Sequence, residues 1–364
     1  MKNLFFLFIV FSFVSCKQKM TNRETTSEVD VTPESDEVEI IDVHSHFQKD
    51  RDYFIDFMKN RKMKTILVDV AMHNATDSSK VERSWDDYVA LAEKHPNLFW
   101  LCSSLMGLGI DEPDFAQKEI ERLKKEIAQG ARMVKVWKNF GMVTKDNSGK
   151  YIQIDDPRLQ PIWDFLKEQN IPVMAHIAEP VQAWRPLNPN SPHFGYYSDH
   201  PEYHAYNFPK IPSYETIIAA RDNWISKNPD LQILCAHIGS MSHDVDMVAE
   251  RLDNYPNIKV ELAARFGDLA AQDSKKVRAF MEKYQDRILF GTDFGNSTNQ
   301  LDLNVEELTR EKEDLAADYD LLRTYLSTSD SVLIRGQSNV GLSLPKEVLE
   351  KIYVTNAMDL LKLK

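Results

Sequence analysis

From residue 38 onward, short apolar runs alternate with longer stretches in which apolar and polar residues mix at helical spacing. The runs are rich in Val, Ile, Leu and Met, as is typical of strands buried on both faces of a parallel sheet. They occur at residues 38–43, 65–71, 98–103, 132–137, 172–175, 232–236, 257–263 and 287–291.

The stretches between the runs predict helices, most clearly at residues 114–128, 159–169, 245–252 and 277–284. Alternating strands and helices indicate either a closed (β/α)8 barrel or a large doubly wound sheet. No Gly-rich phosphate-binding motif follows the first run, which weakens the dinucleotide-binding version of the second fold. We therefore predict an α/β fold, a (β/α)8 TIM barrel, over residues 38–364.

Two connections between the predicted elements are long, at residues 179–228 and 294–346. In βα barrels such insertions lie on the catalytic face and shape the substrate pocket. The first is rich in proline and in aromatic residues, and Trp184 is its first aromatic residue. This composition suits a lid over a ring-shaped or sugar-like ligand, and equally a loop packed on the barrel rim.

The first 15 residues have the pattern of a signal peptide. Lys2 supplies a positive charge, and residues 4–14 form an apolar run that is too short to span a bilayer as a helix. Ser15 and Cys16 follow, and a small residue before cysteine resembles the bacterial lipobox, in which the cysteine is lipidated. The alternative is ordinary signal cleavage that leaves a free Cys16.

Residues 16–37 are polar and contain no aromatic residue, so we expect a flexible tether between the lipidated Cys16 and the barrel. Lys17 follows the cysteine where an Asp would resemble an inner-membrane retention signal. We therefore expect an exported envelope lipoprotein at the outer membrane. Cys102 and Cys235 lie in apolar runs, which predicts two buried thiols and no disulfide framework.

The chain carries a net charge of −12, from 44 basic and 56 acidic residues, and has no basic tract. Nucleic-acid binding needs clustered cations, so this partner is not expected.

Histidine and aspartate residues follow several of the predicted strands. His44 and His46 are two apart in the first, where side chains two apart point to the same side. His176, His237 and Asp293 end the fifth, sixth and eighth. The carboxyl ends of barrel strands carry the active site, so the five side chains together predict one metal-binding catalytic centre.

This pattern resembles the amidohydrolase superfamily, in its amidohydrolase-related (family 2) branch. The shared elements are the first-strand His-x-His, the fifth-strand His, a sixth-strand His near Gly239, and an eighth-strand Gly-Thr-Asp. The segments 286–289 and 353–357 also match, and the resemblance extends over residues 40–364.

The resemblance implies a barrel with one divalent metal ion, usually Zn²⁺, with Mn²⁺ or Fe²⁺ as alternatives. The ligands would be His44, His46, His176 and Asp293. His237 would lie beside the metal and contact substrate or share in proton transfer. Asp293 is the candidate proton acceptor as well as a ligand.

These residues predict a hydrolase that uses metal-activated water on a small molecule with an amide, lactone or ester-like bond. A metal-dependent decarboxylase or other lyase acting on an aromatic or unsaturated acid is the first alternative. A non-catalytic ligand-binding lipoprotein is the second.

Four further residues are candidates for substrate binding: Lys135, Glu179, Trp184 and Arg265. Lys135 lies inside the fourth run. Three interpretations are open: a carbamate that bridges two metals, a cation that faces a substrate carboxylate, or an outward lysine whose head reaches solvent. Arg265 follows the seventh run and suits either a substrate carboxylate or an ion pair with Glu261 or Glu179. Glu179 is also the second candidate for proton transfer.

Overall fold

The computed structural model describes residues 39–73, 81–295 and 303–363. The eight apolar runs all form strands, as predicted. These are β1 (Ile40–His46), β2 (Met63–Val68), β3 (Phe99–Ser104), β4 (Ala131–Val136), β5 (Val173–Ala175), β6 (Ile233–Cys235), β7 (Ile258–Glu261) and β8 (Ile288–Leu289), followed by a short β9 (Phe294–Gly295).

All nine strands belong to one parallel sheet in the order β8-β7-β6-β5-β4-β3-β2-β1-β9. The chain from β8 to β9 returns to β1, because Val43 N donates to Phe290 O at 3.0 Å and Asp293 N donates to His44 O at 2.8 Å. The sheet therefore curls until its first and last strands meet, an arrangement consistent with a TIM barrel.

In the described part of the chain, eight helices of nine or more residues accompany the strands. They are α1 (Asp52–Asn60), α2 (Trp85–Lys94), α3 (Phe115–Ala128), α4 (Gln160–Glu168), α5 (Tyr214–Lys227), α6 (Val245–Asn254), α7 (Ser274–Lys283) and α8 (Val305–Ser327). The starts of α5, α6, α7 and α8 carry polar caps, whose side chains accept backbone N–H groups of the first turn: Ser213, Asp244, Asp273 and Asn304.

Shorter elements fill the connections. Short helical turns lie at Asn139–Met142, Pro157–Leu159, Val181–Trp184, Phe194–Asp199, Pro201–Tyr203, Ala205–Asn207, Ala236–Gly239, Phe266–Ala270, Lys346–Glu350, Lys351–Thr355 and Asn356–Leu361. Met72–His73 pairs antiparallel with Val81–Glu82, and Ser331–Ile334 pairs antiparallel with Gln337–Val340. The second pair is called the C-terminal hairpin below.

Two apolar clusters form the core. The smaller cluster lies inside the curved sheet and draws residues from most of its strands, among them Ile41, Val68, Met133, Met174 and Leu234. The larger cluster lies between the strands and the surrounding helices. Cys102 and Cys235 are buried free thiols, as predicted. Within the described ranges no helix is both long enough and apolar enough to cross a membrane.

Candidate metal centre

His44 and His46 stand at the end of β1, and His44 points into the sheet towards Lys135 of β4. Val43, one residue earlier, also faces the interior, so the usual alternation of the strand fails at this point. The pairing of β1 with β2 shifts register between Asp42 and Ser45, and such irregularities re-aim side chains. Both imidazoles therefore reach the site through a local distortion of the strand.

Asp293 joins the two histidines from the other end of the sheet. Its Oδ1 lies 3.0 Å from His46 Nε2 and 3.2 Å from His44 Nε2. The ligand atoms of these three residues all lie within 4.8 Å of one another. Burial by itself would raise the pKa of Asp293, but the two histidines outweigh it and hold the pKa well below its usual range. The side chain is therefore a carboxylate at neutral pH.

Glu261, the last residue of β7, is a site residue that sequence reasoning missed except as a salt-bridge partner. Its Oε1 accepts from His44 Nδ1 at 3.0 Å and from His237 N at 2.7 Å, and its Oε2 accepts from Ala263 N at 2.5 Å. Because Nδ1 of His44 carries the proton, its Nε2 presents a lone pair to the site. A carboxylate behind a histidine is the usual support of a metal ligand. The available signal was an acidic residue inside an apolar run.

Hydrogen bonds define the tautomers of His237 and His176. His237 Nδ1 lies 2.8 Å from Ala263 O, which can only accept, so Nδ1 carries the proton and Nε2 is an acceptor. His176 Nδ1 lies 3.2 Å from that Nε2 and donates to it. The remaining atom, His176 Nε2, is buried and has no hydrogen-bond partner among the described residues.

This donor set fits a divalent cation. Burial lowers the pKa of His44 and of His176 well below the ordinary value, so both rings are neutral and able to ligate. The structure brings His44, His46 and Asp293 together as predicted. His176 stands outside that group of three but lines the same cavity with its unpartnered Nε2. Three imidazoles and one carboxylate are a donor set typical of zinc and of neighbouring transition metals.

The backbone is left-handed directly after four neighbouring strands. Positive φ values occur at Ala178, His237, Ala264 and Asp293, after β5, β6, β7 and β8. Non-glycine residues rarely adopt this conformation, and it concentrates at functional sites. The strained positions thus mark the same end of the sheet as the candidate ligands.

His237 begins a run of four left-handed residues that ends at Ser240, with φ between 54° and 61°. Buried side chains hold this turn: Arg221 of α5 donates to Gly239 O, and Tyr214 Oη donates to Ser240 O at 2.8 Å. Arg221 and Tyr214 therefore fix the direction in which the His237 ring enters the site.

Lys135 is buried inside the sheet, and its Nζ lies 2.6 Å from His44 Nε2. The interpretation of an outward lysine whose head reaches solvent is therefore wrong. Burial lowers the pKa of Lys135 below its ordinary value. A carbamate and a cation that faces a substrate carboxylate both stay open.

A cavity of about 570 Å³ opens above these residues. Both long connections line it, the first through residues such as His193, Tyr196 and Tyr203, and the second through residues of α8 and the C-terminal hairpin. The prediction that these insertions shape a pocket on the face that carries the candidate ligands is therefore confirmed.

Glu179 lines the cavity but is already engaged. Lys138 forms a buried ion pair with its Oε1, and Tyr197 Oη donates to its Oε2 at 3.2 Å. Lys138 was missed by sequence reasoning; it also lies 4.1 Å from the ring centre of Tyr203. These contacts make Glu179 a support for the cavity wall.

Arg265 is only 6% exposed and lines the cavity. Its Nη1 donates to Ala264 O at 2.9 Å, and its Nε has no hydrogen-bond partner within the described residues. The alternative of an ion pair with Glu261 or Glu179 is wrong, because those carboxylates bind His44 and Lys138. Arg265 forms no ion pair among the described residues, although it lies close enough to Asp268 to help lower the pKa of that carboxyl group. A substrate anion would further offset the desolvation of its guanidinium.

Trp184 does not lie among the residues that line the cavity. Its Nε1 donates to Pro212 O at 3.0 Å, and its ring packs against Tyr214. The prediction of a substrate contact for Trp184 is therefore corrected. Its indole joins two parts of the first long connection through Pro212 and packs on the start of α5 through Tyr214.

Several solved structures share this fold. A 2,6-dihydroxybenzoate decarboxylase from Rhizobium has a TM-score of 0.53 at 16% identity, with 89% of this chain and 99% of that chain covered. A dihydroxybenzoic acid decarboxylase from Polaromonas sp. JS666, with bound manganese and the inhibitor 2-nitroresorcinol, has a TM-score of 0.52 at 17% identity, with 89% and 97% covered. A putative amidohydrolase from Staphylococcus aureus has a TM-score of 0.51 at 16% identity, with 89% and 100% covered.

At such low identity these likenesses describe the fold alone. No curated protein has a significantly similar sequence. The amidohydrolase family model (Amidohydro_2), in contrast, matches residues 41–363. That range contains every candidate ligand and both insertions, and the chain belongs to the amidohydrolase family.

Proposed function

We propose that the protein is a metal-dependent hydrolase that cleaves an amide, lactone or ester-like bond in a small molecule carrying a carboxylate. In this proposal the curled sheet is a closed (β/α)8 barrel with the site at its strand ends. The observation that carries the proposal is the convergence of Asp293 with His44 and His46. It places an ionised carboxylate beside two imidazoles.

His44, His46, His176 and Asp293 would hold one divalent ion, with zinc favoured and manganese or iron acceptable to the same donors. When bound, the ion supplies Lewis acidity, which polarises a carbonyl group and makes water more acidic. The remaining chemistry falls to the side chains of this chain.

Asp293 is suited to take a proton from the attacking water, because its carboxylate is ionised and lies among the candidate ligand atoms. His237 lines the same cavity, and its Nε2 accepts from His176 Nδ1, so the ring can share in proton transfer beside the leaving group through this hydrogen bond. Arg265 offers its guanidinium to the substrate carboxylate and orients the molecule.

A screen of the metal-loaded protein against lactones, amides, esters and aromatic acids tests this proposal. We expect hydrolysis of at least one acyl compound that bears a carboxylate. Asp293→Asn should lower turnover strongly, because an amide cannot accept the proton of water. Near-normal turnover of that variant would move proton transfer to another residue and contradict the role given to Asp293.

A lyase acting on an aromatic or unsaturated acid is the second candidate. The observation that favours it is the buried cations Lys135 and Arg265 close to the ligand set, which suit a carboxylate as the reacting group. Carbon dioxide release from an aromatic acid in the same screen, without acyl hydrolysis, would select this candidate. A chain that binds no metal and turns over nothing would support the ligand-binding alternative.

We also propose that residues 1–15 direct export and that Cys16 is lipidated, with residues 16–37 as a tether to the domain of residues 38–364. Residues 1–38 lie outside the described residues, so the support for this proposal is the sequence pattern alone. It places the enzyme at the cell envelope, on the outer membrane.

A further inference from the structure

The cavity has a polar floor and an apolar upper wall. The floor carries the ionisable residues of the candidate site, including His176, Lys135 and Arg265. The upper wall, called the outer chamber here, consists of Phe266, Leu321, Leu322, Leu333 and Ile334. Cavities of roughly 300–1,000 Å³ enclose drug-sized ligands, and this one measures about 570 Å³.

The outer chamber is built almost entirely by the second long connection. Leu321 and Leu322 lie on α8, while Leu333 and Ile334 lie on the C-terminal hairpin. Leu322 and Ile334 are buried, whereas Leu333 is 53% exposed although it lines the cavity. An exposed leucine at a cavity wall is the kind of surface that a bound apolar group covers.

Close packing fixes this wall in place. The hairpin turns at Arg335 and Gly336, with φ of 49° and 76°, the left-handed pair of a tight hairpin turn. A Cβ added to Gly267 would stand 3.1 Å from Pro192 Cβ and 3.2 Å from Arg335 Cβ. The two long connections therefore meet over Gly267, and the wall is preformed.

The charges of the second connection do not make the outer chamber a second anion site. Its two charged lining residues are Asp318 and Arg335. Burial and the nearby Asp314 raise the pKa of Asp318 to about 6, while Arg335 acts on it in the opposite sense. Asp318 and Arg335 therefore interact electrostatically, and the five residues of the outer chamber are apolar.

From the apolar outer chamber above the charged floor, we infer that the substrate is a carboxylate with an apolar arm of several carbons that lies against Leu321, Leu322 and Leu333. This inference rests on the proposed function, since it takes the carboxylate to bind at Arg265. It narrows the substrate class from small acids in general to elongated, amphiphilic ones.

Calorimetric titration of the zinc-loaded protein with benzoate and with 4-alkylbenzoates from methyl to hexyl tests the inference. The dissociation constant should fall roughly fourfold with each of the first methylenes, the value of burying one methylene from water. Leu333→Ser should flatten this dependence on chain length. The dissociation constant of benzoate, which has no alkyl arm, should stay the same. Val340→Ser is the matched control, because Val340 is 48% exposed on the same hairpin and does not line the cavity.

The outcomes separate the two proposals. If benzoate binds and Arg265→Met abolishes its binding, but chain length has no effect, the apolar arm is wrong and the proposed function stands. If Leu333→Ser and Val340→Ser reduce the dependence equally, the alkyl chains bind outside the chamber and the inference also fails. If neither benzoate nor its alkyl derivatives bind, the carboxylate-bearing substrate is wrong and the inference falls with it.

Discussion

His44 and His237 differ in what faces their Nε2 atoms. Both rings donate through Nδ1 to an oxygen of β7 or of the residues after it. The Nε2 of His44 looks towards Asp293, within the group of ligand atoms, whereas that of His237 accepts from His176. The same residue type therefore has two expected roles, one in holding the ion and one beside the substrate.

Replacing each histidine by alanine should separate these roles. His44→Ala is expected to lose metal and activity together, because it removes a ligand. His237→Ala should keep most of its metal yet lose activity by about 100-fold or more, the scale of a positioned acid or base. Elemental analysis and turnover of the same preparations measure both effects. Equal loss of metal in the two variants would make His237 a ligand and contradict this division.

At the scale of elements, a buried hydrogen bond between His193 and Asp268 ties the first long connection to the barrel. His193 Nε2 lies 2.9 Å from both carboxylate oxygens of Asp268, which also accepts from Ser242 Oγ at 2.6 Å. Burial would raise the pKa of Asp268, but His193 outweighs it and lowers the pKa to about 2. The connection that carries Tyr196 and Tyr203 is thereby anchored over the short helix Phe266–Ala270.

Asp268→Asn should change how stability depends on pH. Since the folded pKa of about 2 lies below the ordinary Asp value of 3.8, the carboxylate stabilises the fold above pH 4 and loses this contribution as the pH falls towards 2. The full contribution of this carboxylate to the free energy of unfolding is about 2 kcal/mol. Urea unfolding at pH 5 and at pH 2.5 measures the free energy of unfolding. This free energy should fall less between the two pH values in Asp268→Asn than in the wild type. Equal falls would mean that the pair does not stabilise the fold.

The periodicity of apolar residues predicted the strands well, because each strand is buried on both faces and shows as a continuous run. It did not predict the register shift before His44 or the left-handed turn after His237. Both depend on contacts from distant segments, such as Arg221 of α5 donating to Gly239. The C-terminal hairpin was missed because its strands are only four residues long: Ser331–Ile334 alternates exposed and buried positions, and Gln337–Val340 alternates partly buried and exposed ones.

Side chains at strand ends could be assigned to one site because all parallel strands end on the same side of the sheet. Partners within the site could not be assigned in this way. Glu261 and Lys138 were not chosen as candidates: the position of Glu261 inside an apolar run was the one available signal, and Lys138 had none that separates it from a surface charge. Trp184 was chosen for its residue type, and its actual contact with Pro212 is set by the fold of the loop.

For the whole molecule, the clearest prediction is the metal content. We expect about one tightly bound divalent ion per chain, because the candidate ligands His44, His46 and Asp293 converge in one group and His176 lines the same cavity. Elemental analysis of protein grown with zinc and manganese measures it. Two ions per chain would support a carbamate on Lys135, and none would contradict the candidate site altogether.

The anchor is a prediction from sequence for the chain as a whole. We expect the mature protein to begin at an acylated Cys16 and to enter the detergent phase when membranes are extracted. Cys16→Ala should release the protein or leave it unprocessed, since no other feature is expected to hold it. Mass spectrometry of the first tryptic peptide checks the acyl group. A wild-type protein found in the soluble periplasmic fraction without acyl mass would contradict the anchor.

His46 and Asp293 meet across the seam where the first strand joins the end of the last, although 247 residues separate them. On the ribosome, the histidines of β1 emerge long before their partner exists. A nascent chain that has built six or seven strands still lacks the carboxylate of the site and the closing edge that holds it. The full set of donors therefore exists only after the eighth strand has been made, so an ion shared by His46 and Asp293 would bind late in folding.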